Sequence, residues 1–285
     1  MKEIFIILAC VPLYVVNSFC DKAVSSKNGN RNNYIYNCIK FFVCALCMLP
    51  VLFMEGSPKL GVGCIACGVA CGCMYAVSKT VMLKGYERTS VAFMTLCHSA
   101  GMILPCVLGH FIWSEKLSAA ATCGIIIAII AIVLLKDTKS EKKSFDGIGV
   151  LYGIIIFLTS GGVMIAQKLM GIYFAGQSVT VYNLFSFAVA FFILCFFAHP
   201  QKSLKAVNKS VLFCAAGSAV SLSAISLVMT ALAGKVPSVI LFPLFNGLGI
   251  ICVCLGSAVV FKEKLTPKKI VGLIIGVIGL CLVNL

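Results

Sequence analysis

The feature that most constrains this chain is a series of ten apolar runs, each long enough to cross a bilayer as a helix. A transmembrane helix needs about 20 predominantly apolar residues. Hydrophobic residues make up 61% of the chain and charged residues 11%, against about 45–50% and about 25% in a soluble domain. We therefore predict an all-α integral membrane protein with ten transmembrane helices near residues 4–20, 34–53, 60–83, 89–112, 118–135, 147–167, 179–198, 211–232, 236–261 and 268–284.

The two halves of the chain end in copies of one segment, residues 111–135 and residues 259–285. Glu115 in the first copy aligns with Glu263 in the second, and the Lys-Leu pair that follows each of them aligns as well. A duplication of half-chain length in so apolar a sequence is typical of carriers built from two repeats around a central site.

A polar stretch at residues 136–147 joins the two halves, and each half holds five predicted spans. Because five is an odd number, the second half enters the membrane from the opposite side. We therefore predict two inverted five-helix repeats, one over residues 1–140 and one over residues 145–285.

Glycines and prolines add detail to the predicted helices. Gly68 and Gly72 are four residues apart and so lie on one helix face, where a neighbouring backbone approaches closely. Pro12, Pro105 and Pro243 fall inside spans. Each removes a helix hydrogen bond, which predicts kinks at these three positions.

The formal net charge of +14 does not indicate nucleic acid binding. Lysines and arginines gather at the ends of the apolar runs, where basic residues fix the orientation of a membrane protein. The more basic face is predicted to be cytoplasmic, which places both termini outside. The expected location is the cytoplasmic (inner) membrane, crossed many times.

The chain has 17 cysteines, with CxxC spacings at Cys44/Cys47 and Cys64/Cys67. A metal or redox site needs thiolates, which are costly in hydrocarbon, whereas a cysteine in mid-span packs as a small apolar residue. We therefore predict no metal site and no cofactor.

Ten spans in two halves, with a Glu-Lys-Leu-[Ser/Thr] turn before a glycine-containing helix, resemble the drug/metabolite transporter superfamily, EamA type. The resemblance covers essentially the whole chain and implies secondary transport of small metabolites, without naming one. The first half departs from the pattern at Thr95, where the second half has its proline. The residues that carry the resemblance are Glu115, Lys116, Leu117, Ser118, Gly124 and Ala128 in the first half, and Pro243, Glu263, Lys264, Leu265, Thr266, Gly272 and Gly276 in the second.

The nine acidic residues are predicted to lie at span ends or in loops. A proton-coupled exporter of cations needs a carboxylate embedded in the membrane, and the small multidrug resistance relatives of this superfamily carry one in their first span. The first predicted span here, IFIILACVPLYVVNSF, has none. We therefore argue against antiport of cationic drugs and protons.

The second and seventh spans share a pattern, a Tyr-Asn pair followed three residues later by another polar residue. Side chains with this spacing lie on one helix face, and such a face is suited to an oxygen-rich or anionic solute. For the lysine in this pattern the alternative is a side chain that extends to the lipid headgroups. The six candidates for substrate binding are Tyr36, Asn37, Lys40, Tyr182, Asn183 and Ser186.

Five further candidates lie in other spans. Lys79 is close in sequence to Tyr75 and Ser78. His98 is the titratable residue nearest a span centre, and it aligns with Asn246 in the second half. His98 either carries a coupled proton or is a neutral histidine bonded to a neighbouring helix.

Glu115 and Glu263 each precede a predicted helix start, where a carboxylate accepts hydrogen bonds from free N–H groups. Ser118 and Thr266 are natural caps of the fifth and tenth helices. We interpret the two glutamates as structural, with a role in transport as the alternative.

The sequence contains no phosphate-binding loop, and no acid/base pair lies within a span. No motif therefore indicates an enzyme. We therefore predict a secondary transporter that moves a small polar metabolite, such as an amino acid, a sugar-like or an anionic compound, by alternating access. The alternatives are a flippase for a lipid-linked or amphipathic substrate and a structural membrane protein without transport. The predicted partners are the solute and the lipid bilayer, with a homodimer left open and no nucleic acid.

Overall fold

The computed structural model describes residues 2–27, 29–88, 91–115, 118–135, 147–198, 208–260 and 267–283, and every regular element in these ranges is an α-helix. The eleven helices are α1 (Lys2–Lys27), α2 (Gly29–Met54), α3 (Val62–Arg88), α4 (Val91–Ala100), α5 (Ile103–Trp113), α6 (Ala119–Leu135), α7 (Gly147–Tyr173), α8 (Val179–Ala198), α9 (Lys209–Ala233), α10 (Ser238–Val260) and α11 (Pro267–Val283).

Seven of these helices contain a stretch long and apolar enough to cross a membrane. The stretches are Lys2–Val24, Tyr34–Met54, Val62–Met82, Gly147–Tyr173, Val179–Phe197, Lys209–Ala233 and Ser238–Val260. An all-helical membrane protein is therefore confirmed for the described ranges. The remaining predicted spans coincide with shorter apolar helices, so the total of ten spans, the inverted orientation and the domain limits 1–140 and 145–285 stay predictions.

The predicted fourth span covers residues 89–112, and its described part, from residue 91 onward, forms two helices with a turn at Gly101 and Met102. Pro105 explains the break, because it has no N–H and its ring blocks the carbonyl four residues earlier. That carbonyl, of Gly101, instead accepts a bond of 3.1 Å from the N–H of Leu104. A side chain at Gly101 would collide with the Ser160 hydroxyl of α7, so glycine allows the turn to pack closely.

The other predicted kink positions behave differently. Pro12 lies within α1 and Pro243 within α10, and both helices continue through them. Of the three prolines, Pro105 alone marks a helix break among the described residues.

The chain packs in two compact units, and each draws on both sequence halves. The first unit consists of Met1–Pro12, Lys84–Ile165 and Val236–Leu285, and the second of Leu13–Leu83 and Ala166–Lys235. In the first unit, α6 packs on α11, where Gly276 lies against Ala131 and Ile251.

The core of the second unit forms where α2, α3, α8 and α9 meet. Phe41 and Phe187 are fully buried there, with ring centroids 6.2 Å apart, and Tyr75 packs 5.6 Å from Phe41. This apolar layer holds the polar side chains of the same four helices at fixed positions.

Helix α3 approaches the backbone of α8 through two glycines. A Cβ at Gly68 would lie 2.7 Å from the carbonyl oxygen of Tyr182, and one at Gly72 would lie 2.5 Å from that of Ser186. The predicted close approach at Gly68 and Gly72 is confirmed, because only residues without side chains leave room for this contact.

A buried polar network as the candidate functional site

The first helix carries a carboxylate into the second unit. α1 runs to Lys27, and its apolar stretch extends to Val24, so Asp21 is part of the helix and not of a loop. The prediction that the first span holds no carboxylate is therefore wrong. The apolar run ends near residue 20, and a charged residue directly after such a run is typical of the end of a span. The sequence pattern therefore did not indicate that Asp21 lies within the helix.

Asp21 forms an ion pair with Lys40 of α2. The Lys40 ammonium group lies 2.9 Å from one carboxylate oxygen and 3.1 Å from the other, and it also donates to Asn17 Oδ1 at 2.9 Å. The Lys40 side chain is 1% exposed and that of Asp21 is 34% exposed. Lys40 therefore does not extend to a lipid headgroup; its charge is compensated inside the helix bundle.

Two hydroxyl groups complete this arrangement, which we call the Asp21 network (Asn17, Asp21, Tyr36, Lys40 and Ser218). The Tyr36 hydroxyl donates to Asp21 Oδ1 at 2.6 Å. The buried Ser218 hydroxyl of α9 lies 2.6 Å from Asn17 Oδ1 and 3.0 Å from Asp21 Oδ1. The carboxylate thus gathers donors from α2 and α9, and charge-assisted bonds of this kind are the stronger ones in proteins.

A second, uncharged contact joins α8 to α9. The Ser226 hydroxyl donates to Asn183 Oδ1 at 2.5 Å, and Asn183 Nδ2 donates to the Val179 carbonyl of its own helix at 2.9 Å. Tyr75 of α3 lies beside Ser226. The structure therefore brings together two of the predicted residues, Tyr75 and Asn183, with a serine that the sequence did not single out.

The remaining predicted residues of the second unit are buried or half-buried. Asn37 is buried and has an interaction partner. Ser186 is fully buried, and its hydroxyl donates to the Tyr182 carbonyl one turn earlier at 2.8 Å. Lys79 is half-buried, and its charge interacts electrostatically with those of Lys40 and Asp21.

Several buried hydroxyl groups in the second unit have no hydrogen-bond partner within the part of the chain that the structure describes. They belong to Ser78, Thr80, Tyr182 and Thr230. A buried polar group without a partner costs free energy, so these positions are either occupied by a bound polar group or carry that cost.

His98 and Asn246 belong to the first unit, whereas the candidates described so far belong to the second unit. The backbone carbonyl of His98 accepts a bond of 2.8 Å from the Ser160 hydroxyl, and this half-buried residue makes a further interaction. Asn246 donates to the Phe242 carbonyl of its own helix at 2.9 Å. The structure assigns no proton transfer to His98, so that role stays a prediction.

Glu115 bonds to the start of a helix that belongs to the other half of the sequence. Its carboxylate accepts 2.7 Å and 3.4 Å bonds from the backbone N–H and hydroxyl of Ser238, the first residue of α10. Ser114 adopts the left-handed conformation with φ of 52°, and the N–H of Glu115 bonds to the Gly109 carbonyl at 3.0 Å. This turn aims the carboxylate at α10.

The other motif residues are partly described. Gly124 is buried in α6, Pro243 in α10 and Gly272 in α11. Glu263 lies outside the described residues.

Sequence reasoning missed Asn17, Asp21, Ser218 and Ser226. Asn17 and Asp21 are four residues apart, which places both on one face of α1. That spacing, together with an unpaired lysine in the next span, was the available signal. Ser218 and Ser226 are eight residues apart, which also places them on one side of α9, but serine is common in apolar helices and gives a weak signal.

The described residues contain no group of three or more histidines, cysteines, aspartates and glutamates that could hold a metal ion.

Comparison with known proteins extends these findings. The profile of the EamA-like transporter family matches residues 1–136 and 147–285. A protein of known crystal structure superposes with a TM-score of 0.78 at 11% identity, covering 100% of this chain and 98% of that chain. At this identity the likeness shows the fold alone. No curated protein matches the chain.

Proposed function

Because the chain belongs to the EamA-like transporter family, we propose that it is a secondary transporter that moves a small polar metabolite across the cytoplasmic membrane. The members of this family are transporters and not enzymes. The proposed solute is an amino acid, a sugar-like or an anionic compound, and the proposed mechanism is alternating access.

The observation that carries this proposal is the partly buried Asp21 network in helices apolar enough to span a membrane. Charged residues inside membrane spans are costly and mark pathways for solutes or ions in most membrane proteins. The second unit gathers a carboxylate, two lysines and several hydroxyls from α1, α2, α3, α8 and α9. A protein that served only as a scaffold would have no need for so many polar groups there.

In this proposal the two sequence halves, residues 1–140 and 145–285, have opposite orientations and rock around the solute. The support is the internal repeat together with the odd number of predicted spans in each half. Both termini are proposed to lie outside the cell, and a homodimer stays open. A reporter that is active only in the cytoplasm, fused after Leu285, tests the orientation, and its activity would contradict it.

Transport is tested with purified protein in liposomes loaded with a broad panel of amino acids, sugars and organic acids. We expect wild-type protein to move at least one of them. Asn183→Leu and Tyr36→Phe each remove a hydrogen-bonding group of the second unit and should lower kcat/KM for that solute about tenfold.

The matched control is Phe192→Ala in α8, whose side chain is 69% exposed and lies away from the polar groups. Normal transport by both Asn183→Leu and Tyr36→Phe would refute the proposed site. Movement of a labelled lipid in place of any soluble solute would favour a flippase, and movement of neither would favour a structural protein.

A further inference from the structure

We infer that the solute is uncharged and rich in hydroxyl groups, as a sugar or a polyol is, and that it donates a hydrogen bond to Oδ2 of Asp21. This inference rests on the proposed function and names the substrate class of the same site. It follows from the hydrogen-bonding capacity that the contacts of the Asp21 network use and leave open.

The Lys40 ammonium group has no donor left for a solute. An ammonium group carries three N–H donors, and the structure gives it three acceptors, which are Asn17 Oδ1 at 2.9 Å and the two Asp21 oxygens at 2.9 Å and 3.1 Å. The Lys40 side chain is also 1% exposed. An anionic solute could therefore bond to Lys40 only by displacing the carboxylate that already compensates its charge.

The two oxygens of the Asp21 carboxylate are used unequally. Oδ1 lies 2.9 Å from the Lys40 ammonium group, 2.6 Å from the Tyr36 hydroxyl and 3.0 Å from the Ser218 hydroxyl. Within the described part of the chain, Oδ2 accepts one bond, from Lys40 at 3.1 Å. Because each carboxylate oxygen accepts about two hydrogen bonds, Oδ2 has room for one more donor.

The side of the ion pair that remains accessible is the carboxylate. The Asp21 side chain is 34% exposed, and it lies less than one helical turn before Val24, where the apolar stretch of α1 ends. Contact with hydrocarbon is unfavourable for a charged group, so we assign the accessible part to water. A solute that arrives from the water thus meets an acceptor and must supply the donor.

The charge of the pair decides which donor fits. A cationic solute at Oδ2 would lie next to the Lys40 ammonium group, which is 3.1 Å from the same oxygen, and like charges at such distances repel. An anionic solute would approach a carboxylate. A neutral hydroxyl group avoids both costs, and hydroxyl donors form short, strong bonds to carboxylates.

The first experiment compares solutes that share a carbon skeleton and differ in charge: glucose with gluconate and glucosamine, and xylitol with xylonate. Uptake of each is measured in liposomes that contain the wild-type protein. We expect kcat/KM for an uncharged member to exceed that for its charged counterparts at least about tenfold. A preference for gluconate, xylonate or glucosamine overturns the inference, while it leaves the proposed function in place.

The second experiment tests Asp21 itself with the double variant Asp21→Asn and Lys40→Met. The hydroxyl donors of Tyr36 and Ser218 should hold the new amide oxygen at the position of Oδ1, which puts an NH2 group in place of the acceptor Oδ2. Uptake of the preferred uncharged solute should fall at least about tenfold. The melting temperature should stay near that of the wild type, because both charges are removed together.

Lys84→Gln is the matched control, because Lys84 is exposed farther along α3. Its uptake should equal that of the wild type. Undiminished uptake of the uncharged solute by the folded double variant would show that Oδ2 does not accept a bond from the solute, and the inference would fail.

A third measurement needs no transport. A ligand that binds the folded protein raises its melting temperature, so glucose or xylitol should stabilise the wild-type protein in detergent, and gluconate and xylonate should not. Stabilisation without uptake of any solute would refute the carrier function and support the assignment of the site. If uncharged solutes neither stabilise the protein nor are moved by it, the assignment is wrong.

Discussion

Helices α2 and α8 present the same sequence pattern in one unit, yet they satisfy its polar groups in different ways. In α2 the pattern ends in Lys40, which reaches Asp21 and Asn17 of α1. In α8 it ends in Ser186, whose hydroxyl bonds to its own helix. The α2 face therefore depends on a partner helix for its charge, whereas the α8 face is neutral and contacts its partners through Asn183 and close backbone packing.

The same sequence motif in two helices therefore does not imply the same interactions in the folded protein. A lysine inside a membrane span requires a counter-charge, and α1 supplies it. A serine at the matching place needs nothing from outside its helix, because a helical carbonyl four residues earlier is always within reach. Substitutions on the two faces should therefore differ widely in cost.

The largest effect is expected from Asp21→Ala. It leaves the Lys40 ammonium group buried without its carboxylate, which typically costs about 3–5 kcal/mol. The loss should appear as a large fall in the melting temperature of the purified protein. A change below that of Ser186→Ala would show that the ion pair does not stabilise α2.

A double variant sharpens the same test. Asp21→Asn combined with Lys40→Met removes both charges, so its stability should lie much closer to wild type than that of Asp21→Ala. If the double variant is as unstable as the sum of the two single changes, the residues act independently and the ion pair has no special role.

The next effect tests the packing of α8. Gly72→Leu places a side chain where a Cβ already lies 2.5 Å from the Ser186 carbonyl, and such overpacking typically costs about 1–3 kcal/mol. Ala70→Leu, at an exposed position of the same helix, is the control and should be nearly neutral. Equal melting temperatures for the two variants would exclude a tight contact between α3 and α8.

A smaller effect is expected from Ser226→Ala, which removes the donor to Asn183. The loss of one neutral, buried hydrogen bond costs about 1 kcal/mol. A double-mutant cycle of Ser226→Ala with Asn183→Ala measures the coupling between the two residues. Strictly additive changes would mean that the 2.5 Å contact contributes nothing to stability.

The smallest effect is expected from Ser186→Ala. The hydroxyl donates to the Tyr182 carbonyl of its own helix, and that carbonyl also accepts a backbone bond within the helix. The change should therefore stay below about 0.5 kcal/mol. A melting temperature that falls as far as in Ser226→Ala would reveal a further role of Ser186.

Much of the candidate site was predictable one helix at a time. Tyr36, Lys40, Tyr75 and Asn183 were singled out as polar residues within apolar runs, and they lie at the contacts that join α1, α2, α3, α8 and α9. Asp21 was not singled out, because its position at the end of an apolar run made it resemble a loop residue. Only the lysine of a neighbouring helix makes a carboxylate acceptable there.

Glu115 shows the same limit for capping. Its position before a helix start predicted bonds to the free N–H groups of the helix that follows it. The helix that it caps begins at Ser238, more than a hundred residues away, and nothing local to Glu115 distinguishes that helix from the one that follows it in sequence.

Local patterns thus sufficed for the all-helical membrane class, the family and the internal repeat, because hydropathy and motif spacing act within single helices and are written in consecutive residues. Only the packed fold determined three contacts. They are the pairing of Asp21 with Lys40, the bond from Glu115 to the start of α10, and the packing of the helix break before Pro105 against Ser160. Such contacts are selected by distance and by the cost of leaving charges or backbone groups unsatisfied in an apolar interior, and residues far apart in the chain meet that condition only after the helices assemble.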